Sequence, residues 1–184
     1  MTSKLIVNSI RHTGASADAI TLNSAGNVEF PIDHIFSSHA IIVDEKTSGI
    51  QSGTFTSGSF QQRDLNTKLS DPDNIVTLSS NDFTLQAGSY VVHASAPAYK
   101  VNHHQCLLRN HTDSTNIQLG SAVYGGTGES VQSISFVSAR FTLSGAKALR
   151  ITHKCSDTRA TNGYGINTGF STSYFTIVEI FKEA

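Results

Sequence analysis

Short apolar segments recur along most of the chain at intervals of about ten residues, with turn-forming residues between them. They are rich in β-branched and aromatic residues, which favour strands, whereas Gly, Ser, Asn and Pro between them favour turns. The segments are residues 40–43, 75–78, 83–85, 89–94, 105–109, 117–119, 131–143, 148–153 and 174–182. About eight to ten short strands in this arrangement predict an all-β protein, a sandwich or a barrel.

The N-terminal part has a different pattern. Residues 4–31 contain shorter strand-like pieces, separated by turns at Gly14 and residues 25–27. So few apolar residues cannot form a core of their own, so this part needs a partner surface. We therefore predict an N-terminal attachment segment, residues 1–36, and a head domain, residues 37–184.

The last predicted strand is apolar on both faces. One face carries Phe175, Ile177 and Phe181, and the other carries Tyr174, Val178 and Ile180. Because an antiparallel sheet usually exposes one face to water, such a strand either runs through the centre of the sandwich or packs against another subunit. We favour the second alternative and predict that Tyr174, Val178 and Ile180 lie at a subunit interface.

Composition supports strands and argues against two classes of partner. Hydrophobic residues make up 38% of the chain and charged residues 15%, and 25 Ser, 19 Thr, 11 Asn and 14 Gly account for the polar excess. With 13 basic and 14 acidic residues and a net charge of −1, the chain lacks the basic surface that nucleic acid requires. Apolar runs are short, so we expect neither a transmembrane helix nor a signal peptide.

The two cysteines and the eight histidines suggest a disulfide or a metal site, but their spacing supports neither. Cys106 and Cys155 match neither a zinc site nor a disulfide scaffold, and we expect two buried free thiols. His103 and His104 are neighbours, and neighbours on a strand point to opposite faces. We therefore predict no metal site: His104 is a hydrogen-bonded histidine of the fold and His103 a loop residue. His93 and His111 are near this pair in sequence.

Motifs for catalysis and for cofactors are missing from the sequence. No Gly-x-Ser-x-Gly nucleophile motif occurs, and no spacing selects a pair of carboxylates for glycoside hydrolysis. Residues 163–169 are glycine-rich but have the wrong spacing for a dinucleotide site and predict a long loop. We expect no enzyme activity and no cofactor.

Several pieces of the head carry a resemblance by their order and spacing. They include Gly-Thr-Phe-Thr-Ser-Gly-Ser-Phe at 53–60, Phe-Thr-Leu-Gln-Ala-Gly-Ser-Tyr at 83–90, Arg-Phe-Thr-Leu at 140–143 and Val-Glu-Ile-Phe-Lys at 178–182. Over residues 40–182 the sequence resembles the complement-type globular heads and tumour necrosis factor jelly rolls, in the version found in bacteriophage structural proteins. Residues 5–10, 12–15 and 20–28 resemble the start of short phage fibre and virion proteins.

The resemblance implies a jelly roll of about ten strands that assembles as a homotrimer about a threefold axis. The location it implies is the virion. Its partners would be two further copies of the chain, other virion proteins bound through the N-terminal segment, and a glycan or protein of the host surface. The charge balance and the short apolar runs add the expectation of neither nucleic-acid binding nor membrane insertion.

Three functions fit these expectations. The first is a trimeric phage fibre or spike head that adheres to the host, and the alternative is a capsid decoration protein, which the short chain favours. A small polysaccharide-degrading enzyme is the third, and it lacks a recognisable catalytic set.

Aromatic rings and planar amides suit sugars, and the loop at residues 159–170 is the first candidate surface for receptor binding. The predicted receptor-binding residues are Tyr99, Asn102, Tyr124, Arg159, Asn162 and Tyr164.

Overall fold

A computed structural model describes residues 9–10, 13–14, 20–22, 28–29, 36–128 and 130–183. These residues form strands, turns and loops and contain no helix. The strands of the N-terminal part are β1 (Ser9–Ile10), β2 (Ile20–Leu22) and β3 (Val28–Glu29). Those of the head are β4 (Ser38–Lys46), β5 (Gln61–Gln62), β6 (Thr67–Ser70), β7 (Thr77–Ser79), β8 (Asp82–Leu85), β9 (Gly88–Tyr99), β10 (His103–Asn110), β11 (Thr115–Leu119), β12 (Val123–Tyr124), β13 (Gln132–Leu143), β14 (Lys147–Cys155) and β15 (Ser173–Lys182).

Two antiparallel sheets form the head, as the spacing of the apolar segments predicts. The first sheet has the order β13-β9-β15-β4-β6. The second has the order β11-β10-β14-β8-β7, with β12 added beside β10 and β5 beside β14. Among the described residues, the N-terminal strands form a separate small sheet in the order β1-β2-β3. The head is therefore an all-β sandwich, and the predicted fold class is confirmed.

The core fills the space between the two sheets because strand residues alternate between a buried and an exposed face. Along β9, Tyr90, Val92, Ala94 and Ala96 are buried, while His93 is exposed. Their apolar partners across the sandwich come from β8, β10 and β14. A smaller cluster continues the core at one end, formed by Phe55, Ala98, Val101 and Cys155.

The last strand is central in its sheet, between β4 and β9. Val178 and Ile180 are both 0% exposed in the core, so they are covered within one chain and cannot meet another subunit. This placement corrects the expectation for these two residues. A bulge between Tyr174 and Ile177 breaks the alternation, and Tyr174 stays exposed near the start of the strand.

The two ends of the sandwich differ. Ser38 pairs with Lys182, so the start of β4 and the end of β15 share one end of the head. Lys46 pairs with Ser173 and Tyr99 with Gln132 at the other end. We call this second end the distal end. It carries the connecting segments at 47–60, 100–102, 120–128, 130–131 and 156–172.

Candidate functional site

An open cavity of about 620 Å³ lies at the distal end, on the outward side of the second sheet. Its lining residues are Ser57, Gly58, Phe60, His103, His104, Gln105, Ala122, Val123, Tyr124, Lys154, Cys155 and Ser156. We call it the distal groove. Strands β10 and β14 pair with each other and form its floor, since Gln105 lies opposite Lys154. Strand β12 pairs with β10 on one side, and the segment at 57–60 leads into β5 beside β14 on the other.

Aromatic side chains stand on both walls of the groove. Tyr124 is 69% exposed, and its ring packs against His103 with centroids 4.9 Å apart. Phe60 is exposed on the opposite wall. The wall of Tyr124 is held by the Gly125 N–H, which donates to the Asn102 carbonyl over 2.9 Å. Gly125 packs closely against Ser133, since an added Cβ would lie 2.6 Å from the Ser133 Oγ.

Charge in the groove is positive. Among the described lining residues Lys154 is the one cation that is fixed at neutral pH, and none of them is acidic. Lys46, Lys68 and Lys147 each have a carboxylate partner, but no described residue forms an ion pair with Lys154.

Beneath the floor, two buried imidazoles connect the sheets. His104 Nδ1 lies 2.9 Å from His153 Nε2, and His104 Nε2 lies 2.8 Å from the Ser133 Oγ of β13. Burial, together with the charge of Arg63, lowers the pKa of His104 to about 4, and the same causes lower the pKa of His153. Both rings are therefore neutral at pH 7. The expectation that His104 is hydrogen-bonded within the fold is confirmed, whereas His103 begins β10 instead of lying in a loop.

The two thiols are free and buried, as expected. Cys155 lines the groove, but burial and then the charge of Asp157 raise its pKa to about 11. The thiolate form, which is the nucleophile, is therefore scarce at neutral pH. Within the described parts of the chain, no group of three His, Cys, Asp or Glu side chains has the arrangement of a metal site.

A buried arginine fixes the loop at 156–172. Arg63 donates from Nε to the Thr176 Oγ1 over 2.7 Å, from Nη1 to the Pro97 carbonyl, and from Nη2 to the Tyr164 carbonyl. Its guanidinium also stacks on the Tyr164 ring, 4.3 Å from the centroid. Burial lowers the pKa of Arg63 to about 10, so it keeps its charge at neutral pH. The side chain thus joins three segments at the distal end.

The six predicted receptor-binding residues fall into two groups. Tyr124 lines the groove, and the Asn102 backbone supports the wall beside it. The other four, Tyr99, Arg159, Asn162 and Tyr164, hold the loop in place. Tyr99 is only 8% exposed, with the Arg159 guanidinium 5.6 Å from its ring centroid.

Contacts within the loop explain the second group. Tyr164 is half-buried and stacks on Phe55 with ring centroids 4.4 Å apart. Arg159 Nε donates to the Asn162 Oδ1 over 2.9 Å. These aromatic and amide groups are occupied by their neighbours and are not directed outward as a set.

Sequence reasoning overlooked Phe60 and Lys154. Phe60 belongs to the Gly-Thr-Phe-Thr-Ser-Gly-Ser-Phe stretch. It lies far from Tyr124 along the chain, so the sequence does not show that both residues line the same groove. Lys154 follows directly after buried His153 on β14, so strand alternation alone marks it as outward-facing. That signal is available in the sequence, but the pairing of β14 with β10 is not.

Comparison with known proteins defines the fold. No family model matches the chain, and no curated protein is similar to it in sequence. Solved structures do match. The globular domain of zebrafish complement 1qA protein has 15% identity and a TM-score of 0.51, and the match covers 79% of this chain and 96% of that one. The Eiger tumour necrosis factor of S. frugiperda has 16% identity and a TM-score of 0.50, with 80% and 92% covered.

Murine APRIL has 8% identity and a TM-score of 0.50, with 79% of this chain and 98% of that one covered. The head has the complement-head and tumour necrosis factor-like jelly-roll fold. At these identities the likeness establishes the fold of the head and nothing about its ligands.

No helix in the described part of the chain is long and apolar enough to cross a membrane.

Proposed function

We propose that the chain is a structural protein of a phage particle, working as a homotrimer whose heads adhere to the host surface. The observation that carries this proposal is the separation of the two ends. The N-terminal segment enters the head where Ser38 pairs with Lys182, and the distal groove lies at the opposite end. A head attached through its N-terminal segment would therefore present the groove outward.

Support for a trimer comes from the outward side of the first sheet, which we call the outer face. It carries the apolar side chains Ile41, Val91, Ile134, Phe136, Ile177 and Phe181. Phe136 is 58% exposed, although it lies in the middle of a long strand. A shallow cavity of about 380 Å³ runs beside it. Exposed apolar surface of this kind is typical of a subunit interface.

A second copy of the chain is the occupant that best fits the outer face. The residues beside the shallow cavity are mixed, since His93, Ser138 and Glu179 accompany Phe136 and Ile177. Subunit interfaces combine an apolar core with a polar rim, and this mixed lining is compatible with that composition. The jelly-roll resemblance of the sequence implies the same assembly, and three heads on one particle would gain avidity for a repetitive surface.

The test is adsorption of the phage that carries the chain. Purified protein is added to host cells before the phage, and we expect it to bind the cells and reduce adsorption in proportion to occupancy. Gold labelling of intact particles with an antibody against the head is the second measurement. Label at the tail or at fibres supports the proposal, whereas label spread over the shell would favour the capsid decoration alternative. A head that neither binds cells nor competes would overturn the adhesive function.

A further inference from the structure

We propose that the distal groove binds an acidic saccharide, with the acid group paired to Lys154 and a sugar ring stacked on the Tyr124 wall. This inference rests on the proposed adhesive function, because it names the class of ligand at the outward end. It draws on the shape of the groove, its aromatic walls, its charge and its polar floor.

The width of the groove suits one or two sugar rings. Its walls are the 57–60 segment and β12, and two paired strands lie between them. Three strand spacings give about 14 Å between the wall backbones. The cavity volume of about 620 Å³ lies within the range of roughly 300–1,000 Å³ that is usual for small-ligand sites.

The aromatic walls provide apolar faces for sugar rings. Tyr124 is 69% exposed and Phe60 is 41% exposed, so each offers ring surface to a ligand. The Tyr124 ring is braced from one side by His103, so its orientation is restricted before any ligand arrives. A pre-oriented ring loses little conformational freedom on binding, which favours stacking against the C–H face of a sugar.

The charge selects an acidic ligand over a neutral one. Lys154 lies on the floor between the walls and has no carboxylate partner among the described residues. The described lining has no acidic side chain, and Asp157, whose charge acts on Cys155, lies outside it. Lys147, at the other end of the same strand, is paired with Asp113 over 2.6 Å. A charge-assisted hydrogen bond to a sugar carboxylate would satisfy Lys154 in the same way.

The remaining floor supplies hydrogen-bonding groups for hydroxyls. Gln105 donates from Nε2 to the Gly120 carbonyl, which leaves its carbonyl oxygen available to accept. The Ser57 and Ser156 hydroxyls lie beside the same cavity, and each can still accept a hydrogen bond. Alternating donors, acceptors and aromatic faces are what a saccharide requires, whereas an extended polyanion requires several cations.

The experiment uses the full chain and an array that carries oligosaccharides with uronic or sialic acid residues beside their neutral counterparts. The acidic oligosaccharide that binds best is then titrated, together with its carboxyl methyl ester. We expect the ester to bind at least tenfold more weakly. We expect Lys154→Gln to weaken binding of the acid at least tenfold and to abolish the difference between acid and ester.

Two further variants separate stacking from charge. Tyr124→Ala should weaken both the acid and the ester at least tenfold, whereas Tyr124→Phe should stay within about threefold of wild type because the ring remains. Lys147→Gln is the matched control, with the same change on the same strand outside the groove, and should stay within twofold. Thermal unfolding of each variant verifies that the head is folded.

The outcomes separate this inference from the adhesive function. A head that binds host cells equally well with and without Lys154 and Tyr124 would overturn the groove assignment and leave adhesion standing. Binding in the groove that requires the sugar carboxylate, without any adsorption of the head to cells, would support the ligand class and contradict the adhesive function. Preference for neutral oligosaccharides, or no binding to any acidic oligosaccharide on the array, would overturn the inference.

Discussion

Two buried histidine rings set the response of the head to acid. His104 and His153 share a hydrogen bond in the interior, and His104 also contacts Ser133 on the other sheet. A proton added to either ring would place a charge in a buried site close to Arg63. The neutral state of both rings is therefore part of the folded structure.

Stability should consequently fall as the pH is lowered. The pKa of His104 is about 4 in the folded head and near 6.5 when unperturbed, so the unfolded chain takes up the proton first. The stabilisation is complete above about pH 6.5 and is lost as the pH falls toward 4. From this site alone we expect a loss of about 2 kcal/mol between pH 7 and pH 5, measured by urea unfolding at fixed protein concentration.

Replacement of the ring tests the assignment. His104→Gln keeps a hydrogen-bonding side chain but cannot titrate, so the variant should lose roughly 2 kcal/mol less than wild type between the same two pH values. His111→Gln, at an exposed position, is the control and should keep the wild-type pH dependence. Equal slopes for wild type and His104→Gln would show that this ring does not cause the acid sensitivity.

Among the elements, the connection at 156–172 has no strand of its own, and the rest of the distal end holds it in place. Isolated bridges join Gly53 to Asn162 and Phe55 to Arg159, and Arg63 donates to the Tyr164 carbonyl. Gly163 packs so closely that an added Cβ would lie 2.8 Å from the Phe55 backbone nitrogen. Residues 159–164 are therefore tied to the rest of the head by several contacts, although they form no ladder.

Arg63→Met should release this connection. The change leaves the Pro97 and Tyr164 carbonyls buried without their donor, and we expect a loss of about 3 kcal/mol in the free energy of unfolding. Limited proteolysis should then cut faster within residues 156–172. Arg140→Met, which removes an exposed ion pair with Glu183, should keep both properties near wild type. Unchanged protection of the connection in Arg63→Met would contradict this role.

Strand periodicity shows what could be predicted at this scale. The alternation of more and less buried residues along 89–94 and 148–151 depends on neighbours in sequence, so the strands and the fold class were predictable. The groove is different, because Phe60, Tyr124 and Lys154 meet only through the pairing of β5, β10, β12 and β14. Register between distant strands cannot be read from local patterns.

The predicted recognition residues of the loop have a packing role that the sequence alone does not reveal. Tyr99, Arg159 and Tyr164 have the composition of a recognition surface, yet they stack on one another or on Phe55 and Arg63. Aromatic and arginine side chains serve equally in loop packing and in ligand binding. Only their partners distinguish the two uses, and those partners are remote in sequence.

At the scale of the whole molecule, the account depends on the outer face. Phe136→Glu would place a charge in the middle of that face, which costs little in a solvated monomer but much in a closed interface. We expect this variant to be monomeric at micromolar concentration, as measured by native mass spectrometry. Phe60→Glu makes the same change to an exposed phenylalanine of the other sheet and should leave the assembly intact. If Phe136→Glu keeps the same trimeric mass as Phe60→Glu, the outer face does not form the interface.

The native mass of the wild-type chain is the decisive test of the homotrimer. One chain has a mass of 19.7 kDa, so a homotrimer has three times that mass, about 59 kDa. We predict this species at micromolar concentration, with the monomer as a minor component. A mass of 19.7 kDa at the same concentration would contradict the account, since the outer face would then need a different partner and the avidity argument would fail.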